Sequence, residues 1–143
     1  MCDAYSASSL VGTNGKAQIT SPGSATGNMA WTMIAWLAYW KAKGGASYLN
    51  AAVQLGEWIY DNTYDTRGAG GYAGGYSASL EKYQWKATEH NLDIYVAFMK
   101  LYEATGNPIW FGRARHAKNF VQAMWNQTGG YFWTGTTNDG AAI

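Results

Sequence analysis

A chain of 143 residues is long enough for one domain with a sizeable core. A net charge of +1 leaves no electrostatic footprint for nucleic acid or an anionic membrane, and 16% aromatic residues exclude a disordered chain. The single cysteine, Cys2, excludes a disulfide framework and a cysteine-based metal site.

Residues 1–26 are rich in Ser, Gly, Ala and Thr and read as an irregular segment of loop or loose strand. They lack the basic segment and apolar run of a secretion signal, so the chain as written reads as cytoplasmic. A first helix is expected from Gly27 to Lys41. Met29, Trp31, Met33, Ile34, Trp36, Leu37, Tyr39 and Trp40 cover every face, which predicts burial all round. Its apolar run of about twelve residues is too short to cross a bilayer. A second helix, Ser47 to Asn62, is amphipathic, with Leu49, Ala52, Val53, Leu55, Trp58 and Ile59 on one side.

About 25 residues rich in Gly and Tyr follow, a length usually reserved for functional or mobile loops. A third helix, Thr88 to Thr105, is as apolar as the first. Its end is marked by Gly106 for a left-handed turn, Asn107 as the next cap and Pro108 as the first position of a fourth helix. In that fourth helix Trp110, Ala114, Ala117, Val121 and Met124 form an apolar stripe. Arg113 and Arg115 read as outer-face charges, and His116 as a solvated residue. Alternation over residues 130–136 predicts a short β-strand.

These elements are one unit written twice. Ala42-Lys43-Gly44-Gly45 matches Ala104-Thr105-Gly106-Asn107 at a shift of about 62 residues, and Gly70-Gly71-Tyr72 matches Gly129-Gly130-Tyr131 at about 59. The repeats span roughly residues 27–87 and 88–143. The fold class expected is all-α: a toroid-like repeat of αα-hairpins with inner and outer helices, and short strands in the loops at one end. The apolar edges of the inner helices need cover: either the chain is a truncated fragment of a longer protein, or it forms a homo-oligomer whose copies supply the missing neighbours.

The strongest chemical candidate is Thr88-Glu89-His90-Asn91-Leu92-Asp93, a polar opening to an apolar inner helix. Glu89 and Asp93 share a face. One reading is structural: carboxylates favour the helix dipole and Thr88 caps the first turn. The other is chemical: a carboxylate beside His90 in a partly dry cleft is an acid/base pair, with Asn91 as a binding residue. Glycoside hydrolysis needs a second carboxyl across the bond, which Asp65, Glu81, Asp139 or a part of the ring not in this chain would have to supply. Gly68-Ala69-Gly70-Gly71 lacks the preceding strand of a dinucleotide site, and residues 61–68 lack the closing Glu of a calcium loop. His90 and His116 have no zinc-site spacing, so neither a metal nor a cofactor is expected.

The order of inner and outer helices, the Gly106-Asn107-Pro108 turn, the stretch Gly129-Gly130-Tyr131-Phe132-Trp133-Thr134-Gly135 and the Thr88–Asp93 motif together resemble the six-hairpin glycosidase superfamily. The resemblance covers residues 27–136, about two hairpins of six. It implies a carbohydrate-active protein, glycoside hydrolase-like if it is an enzyme, that holds an oligosaccharide or small sugar in a central funnel. It implies Glu89, His90 and Asp93 as catalytic funnel residues, and Tyr72, Tyr76, Tyr131 and Trp133 as sugar platforms. A non-catalytic sugar- or small-molecule-binding module and a helical-repeat interaction protein are the alternatives.

Overall fold

The computed structural model describes residues 4–5 and 19–143, with side chains from Pro22 onward. Most of the N-terminal segment, Cys2 included, lies outside the described residues. Four helices follow it: α1 (Thr26–Lys43), α2 (Ala46–Thr63), α3 (Thr88–Thr105) and α4 (Pro108–Ala123). Eight short strands form four antiparallel pairs. β1 (Ala4–Tyr5) pairs with β2 (Ile19–Ser21), and β3 (Ser24–Ala25) with β4 (Gly75–Tyr76). β5 (Lys86–Ala87) pairs with β8 (Gly135–Thr136), and β6 (Trp125–Asn126) with β7 (Tyr131–Phe132).

Helices α1 and α3 lie inside, packed on one another, and α2 and α4 cover them from outside. This is the hairpin repeat expected from the sequence. The core joins Met29, Met33 and Leu37 of α1, Ile59 of α2, Ile94, Phe98 and Leu101 of α3, and Trp110 and Ala117 of α4. The α3–α4 turn forms as its residues predict. Gly106 is left-handed at φ 68°, and the Asn107 side chain accepts the Ile109 N–H at 3.1 Å with Pro108 in the first turn.

One expectation for α1 is corrected. Trp31 is 59% exposed and Tyr39 is also exposed, so the helix is not buried all round. Its neighbours α2 and α3 cover only the side that carries Met29, Met33 and Leu37. The other apolar side chains extend past them.

The repeat is visible in the hydrogen bonds. Thr26 donates its N–H to Gly74 O at 3.1 Å and its hydroxyl to Ala73 O at 3.1 Å. Thr88 donates its N–H to Thr134 O at 2.8 Å and its hydroxyl to Trp133 O at 2.6 Å. Ala73 N–H reaches Thr63 O at 2.8 Å, and Trp133 N–H reaches Met124 O at 2.8 Å. The returning strand therefore follows a shift of 60, not 59, and the counterpart of Tyr72 is Phe132 rather than Tyr131. Buried Ala52, Gly56, Ile59 and Thr63 of α2 match buried Arg113, Ala117 and Phe120 of α4 and Met124 at its C-cap.

Thr88 is thus not the cap of α3. The cap position is Ala87, which carries no side-chain cap, and the Thr88 hydroxyl instead ties the helix to the returning strand. That tie fixes where the first turn of α3 faces.

Candidate functional site

The first turn of α3 presents Glu89 to solvent, leaves His90 and Asp93 half-buried and buries Asn91. Beside it the β5–β8 pair brings in the 132–138 strand in a set register, Lys86 opposite Thr136 and Ala87 opposite Gly135. Between helix and strand lies an open cleft of about 750 Å³, with Trp85, Thr88, Glu89, Trp133, Asn138 and Ile143 on its walls. Glu89 and Trp133 thus face one space. Trp85 is a wall residue that the sequence reading missed. It stacks on Tyr83 with ring centroids 5.1 Å apart. The signal for it was the Tyr83-Gln84-Trp85 alternation directly before an inner helix.

The other nominated residues lie around this cleft or outside it. Tyr131 packs edge-on against Trp133, centroids 5.1 Å apart. Tyr76 belongs to β4, in the other hairpin unit, where it packs on Trp58 and its hydroxyl reaches Asn62 O at 3.5 Å. His90 turns toward α1. Its Nδ1 lies 3.2 Å from the Thr26 hydroxyl, which also lies 3.1 Å from Ala73 O. Its ring also lies 5.6 Å from that of Trp85.

Asp93 is one turn further along. Burial first, and then the Glu89 carboxylate, hold its pKa above the ordinary value, against a hydrogen bond from the Trp31 side chain. Its Oδ2 is buried with no hydrogen-bond partner among the described residues.

Two nominated contacts are corrected. Tyr72 and Asn91 are fully buried and cannot touch a ligand as they stand. Tyr72 N–H donates to Asn91 Oδ1 at 2.8 Å, and Asn91 Nδ2 donates to Tyr72 O at 3.0 Å and Ala87 O at 2.9 Å. The Tyr72 hydroxyl donates to Arg113 O at 3.1 Å, and burial pushes its phenol pKa up. These two residues position the 70–76 strand rather than bind.

Three further readings change because distant elements cover the residues: the long loop meets α4 at His116, α2 meets α4 at Arg113, and Lys86 reaches back to Asp65. His116 is not simply solvated, because its Nε2 lies 2.9 Å from both Asp65 O and Gly71 N and its ring stacks on Tyr64. Arg113 is only 8% exposed, paired with Glu57 at 2.7 Å and set against Tyr60 and Trp110. Asp65 is no second catalytic carboxyl. It is buried, ion-paired with Arg67, and 3.7 Å from the buried Lys86 Nζ. Burial alone would raise its pKa, but the Arg67 hydrogen bonds and the Lys86 charge outweigh that and hold it below the ordinary value. Glu89 is the one acidic side chain on the described walls of the cleft. Among the described residues no group of three His, Cys, Asp or Glu side chains could hold a metal, and no helix is long and apolar enough to cross a membrane.

No family model and no curated protein matches the chain. Solved structures do. A sugar epimerase from a ruminal bacterium superposes with a TM-score of 0.76 at 18% identity, over 88% of this chain and 35% of its own. A family 76 glycoside hydrolase, an α-mannanase from Bacteroides thetaiotaomicron, gives 0.72 at 21% identity, over 92% and 38%. A D-mannose isomerase gives 0.71 at 21%, over 82% and 30%. The chain therefore shares the α/α-hairpin fold of these structures, the fold class expected from its sequence. It spans about a third of the length of these proteins.

Proposed function

We propose that this chain is a carbohydrate-binding unit, and that the cleft at the N-terminal end of α3 holds a sugar ring. Trp133 and Trp85 offer flat apolar faces, and Glu89 accepts hydroxyl hydrogen bonds. The observation that carries this reading is that Glu89 and Trp133, from different elements, face one open cleft. Sugar-acting proteins among the structural neighbours make a sugar the first ligand to try.

Binding is favoured over hydrolysis because Glu89 and Asp93 leave the same helix face, whereas hydrolysis uses carboxyls on opposite sides of the bond. A catalytic reading keeps one support: burial and the Glu89 carboxylate hold Asp93 above its ordinary pKa. The titration of tryptophan fluorescence with mannose, mannobiose and cellobiose tests both. Binding predicts saturation with at least one of them, weakened about tenfold, or ~1.4 kcal/mol, by Trp133→Ala. Saturation that Trp133→Ala leaves unchanged removes the cleft assignment. New reducing ends that vanish in Glu89→Gln would replace binding by catalysis.

A further inference from the structure

The two outer helices leave an open groove of about 370 Å³ between them. Tyr60 of α2 and its C-cap residue Tyr64 form one wall. Arg113, Arg115, His116 and Asn119 of α4 form the other. Among the described residues no acidic side chain lines it.

Arg113 is the buried member of this set, at 8% exposure. Its Nη2 meets Glu57 at 2.7 Å, whereas Nε and Nη1 are buried with no hydrogen-bond partner among the described residues. The Tyr60 ring centre lies 4.0 Å from the guanidinium carbon and the Trp110 ring centre 4.6 Å. Ring faces attract the charge but give the N–H groups no hydrogen-bond acceptor of ordinary strength. Buried donors are nearly always satisfied, so two open ones on a single cation call for an acceptor that the chain does not supply.

The fold itself does not demand a cation here. The matching position one repeat earlier is Ala52, buried in the same way in α2. Arg115 and Asn119 match Gln54 and Trp58 in the same register, so the first copy of this face carries neither arginine. Around Arg113 the other donors stand ready. Arg115 and Asn119 are exposed, and among the described residues no hydrogen bond ties up either side chain. His116 turns its Nε2 to Asp65 O and Gly71 O at 2.9 and 3.0 Å and stacks on Tyr64 with centroids 4.2 Å apart, which fixes that rim.

We propose that this groove binds a phosphate group. Arg115, Asn119 and the two tyrosine hydroxyls supply donors from both helices, and Arg113 supplies a buried positive charge. Turning the Tyr60 ring aside opens Arg113 Nε and Nη1 to the phosphate oxygens, while Glu57 keeps Nη2. Guanidinium forks suit carboxylate and phosphate alike, but donors arriving from several directions suit the tetrahedral group better than the planar one. The groove has more room than a free phosphate fills, and the tyrosine rings offer an apolar face to a group attached to it.

Amide chemical shifts followed by NMR test this, as the full chain is titrated with phenyl phosphate, inorganic phosphate and phenol at constant ionic strength. Phenyl phosphate should give saturable shifts at Gly112, Arg115 and Asn119, and phenol none. Arg115→Ala, at an exposed position, should keep the fold and weaken binding about tenfold, the loss of a charged hydrogen bond. Arg113→Ala should weaken it at least as much. Should that variant fail to fold, Arg115→Glu decides alone and should abolish saturation. Tighter binding of phenyl phosphate than of inorganic phosphate supports the site with an ester as its ligand, and equal binding supports it with free phosphate. Shifts that do not saturate, that potassium chloride or phenol reproduces, or that Arg115→Glu leaves unchanged overturn the proposal. The groove shares no residue with the Glu89 cleft, so sugar binding and phosphate binding stand or fall separately.

Discussion

The side-chain amide of Asn91 pairs with the backbone of Tyr72 on both sides, accepting its N–H at 2.8 Å and donating to its carbonyl at 3.0 Å. A helix side chain here does the work of a neighbouring strand. It satisfies two buried backbone groups that would otherwise be orphaned under the core.

Removing that amide should therefore cost more than one ordinary hydrogen bond. Asn91→Ala strands the Tyr72 N–H and carbonyl, each worth about 1–3 kcal/mol when left unsatisfied. The expected loss is about 2–4 kcal/mol in urea unfolding, with the cleft residue Glu89 untouched.

Two glycines should respond with opposite signs. Gly71 has φ of 94°, and a Cβ there would lie 2.8 Å from Asn91 Oδ1 and from Phe120. Gly71→Ala should destabilise by about 1–3 kcal/mol through backbone strain and overlap. Gly112 is inside α4 and exposed, and a Cβ there meets nothing within 4 Å. Gly112→Ala should stabilise by about 0.5–1 kcal/mol. Thermal melts of the two variants check both signs.

Asp93 and Asp65 make opposite contributions to the pH dependence. Asp93 has its folded pKa raised, so its native state binds the proton more tightly than the unfolded chain does. Its contribution is fully present below the unfolded value and is lost as pH rises through the folded one. Asp93→Asn should then stabilise the protein near neutral pH, and the gain should shrink as pH falls into the carboxylate range. Asp65 has its folded pKa lowered, so its contribution is present above the unfolded value and is lost as pH falls through the folded one. Asp65→Asn should lower stability near neutral pH and flatten the acid limb of the profile. Melting curves across the acid range separate the two.

Lys86→Met removes the donor to Arg67 O and Gly70 O and leaves Asp65 with one cationic partner fewer. Breaking a buried pair from one side costs about 3–5 kcal/mol. The double variant Lys86→Met with Asp65→Asn should recover part of that loss, measured by urea unfolding of all three proteins.

The repeat, the four helices and the α3–α4 turn were legible in the sequence because their signals are local. A 3.6-residue apolar period, a Gly-Asn-Pro turn and a recurring spacing act within a few residues of where they are written. The shift at the Gly-Gly-Tyr was misread by one residue because the two copies differ there. Phe132, not Tyr131, takes the place of Tyr72 once strand register is imposed.

What the chain's order of residues determined by itself was the hairpin architecture and the polar opening of α3. Only the tertiary structure decided which of those polar residues face a cavity. Glu89, His90, Asn91 and Asp93 are neighbours in sequence, yet the 70–76 strand buries Asn91, Thr26 and Trp85 draw His90 aside, and Glu89 alone of the four lines the cleft. The same holds for Arg113, His116 and Asp65, charged or polar residues whose partners come from up to 56 positions away. Helical periodicity is set by the backbone within one element. The burial of a polar side chain is set by whichever distant element packs over it, and that is not written beside it.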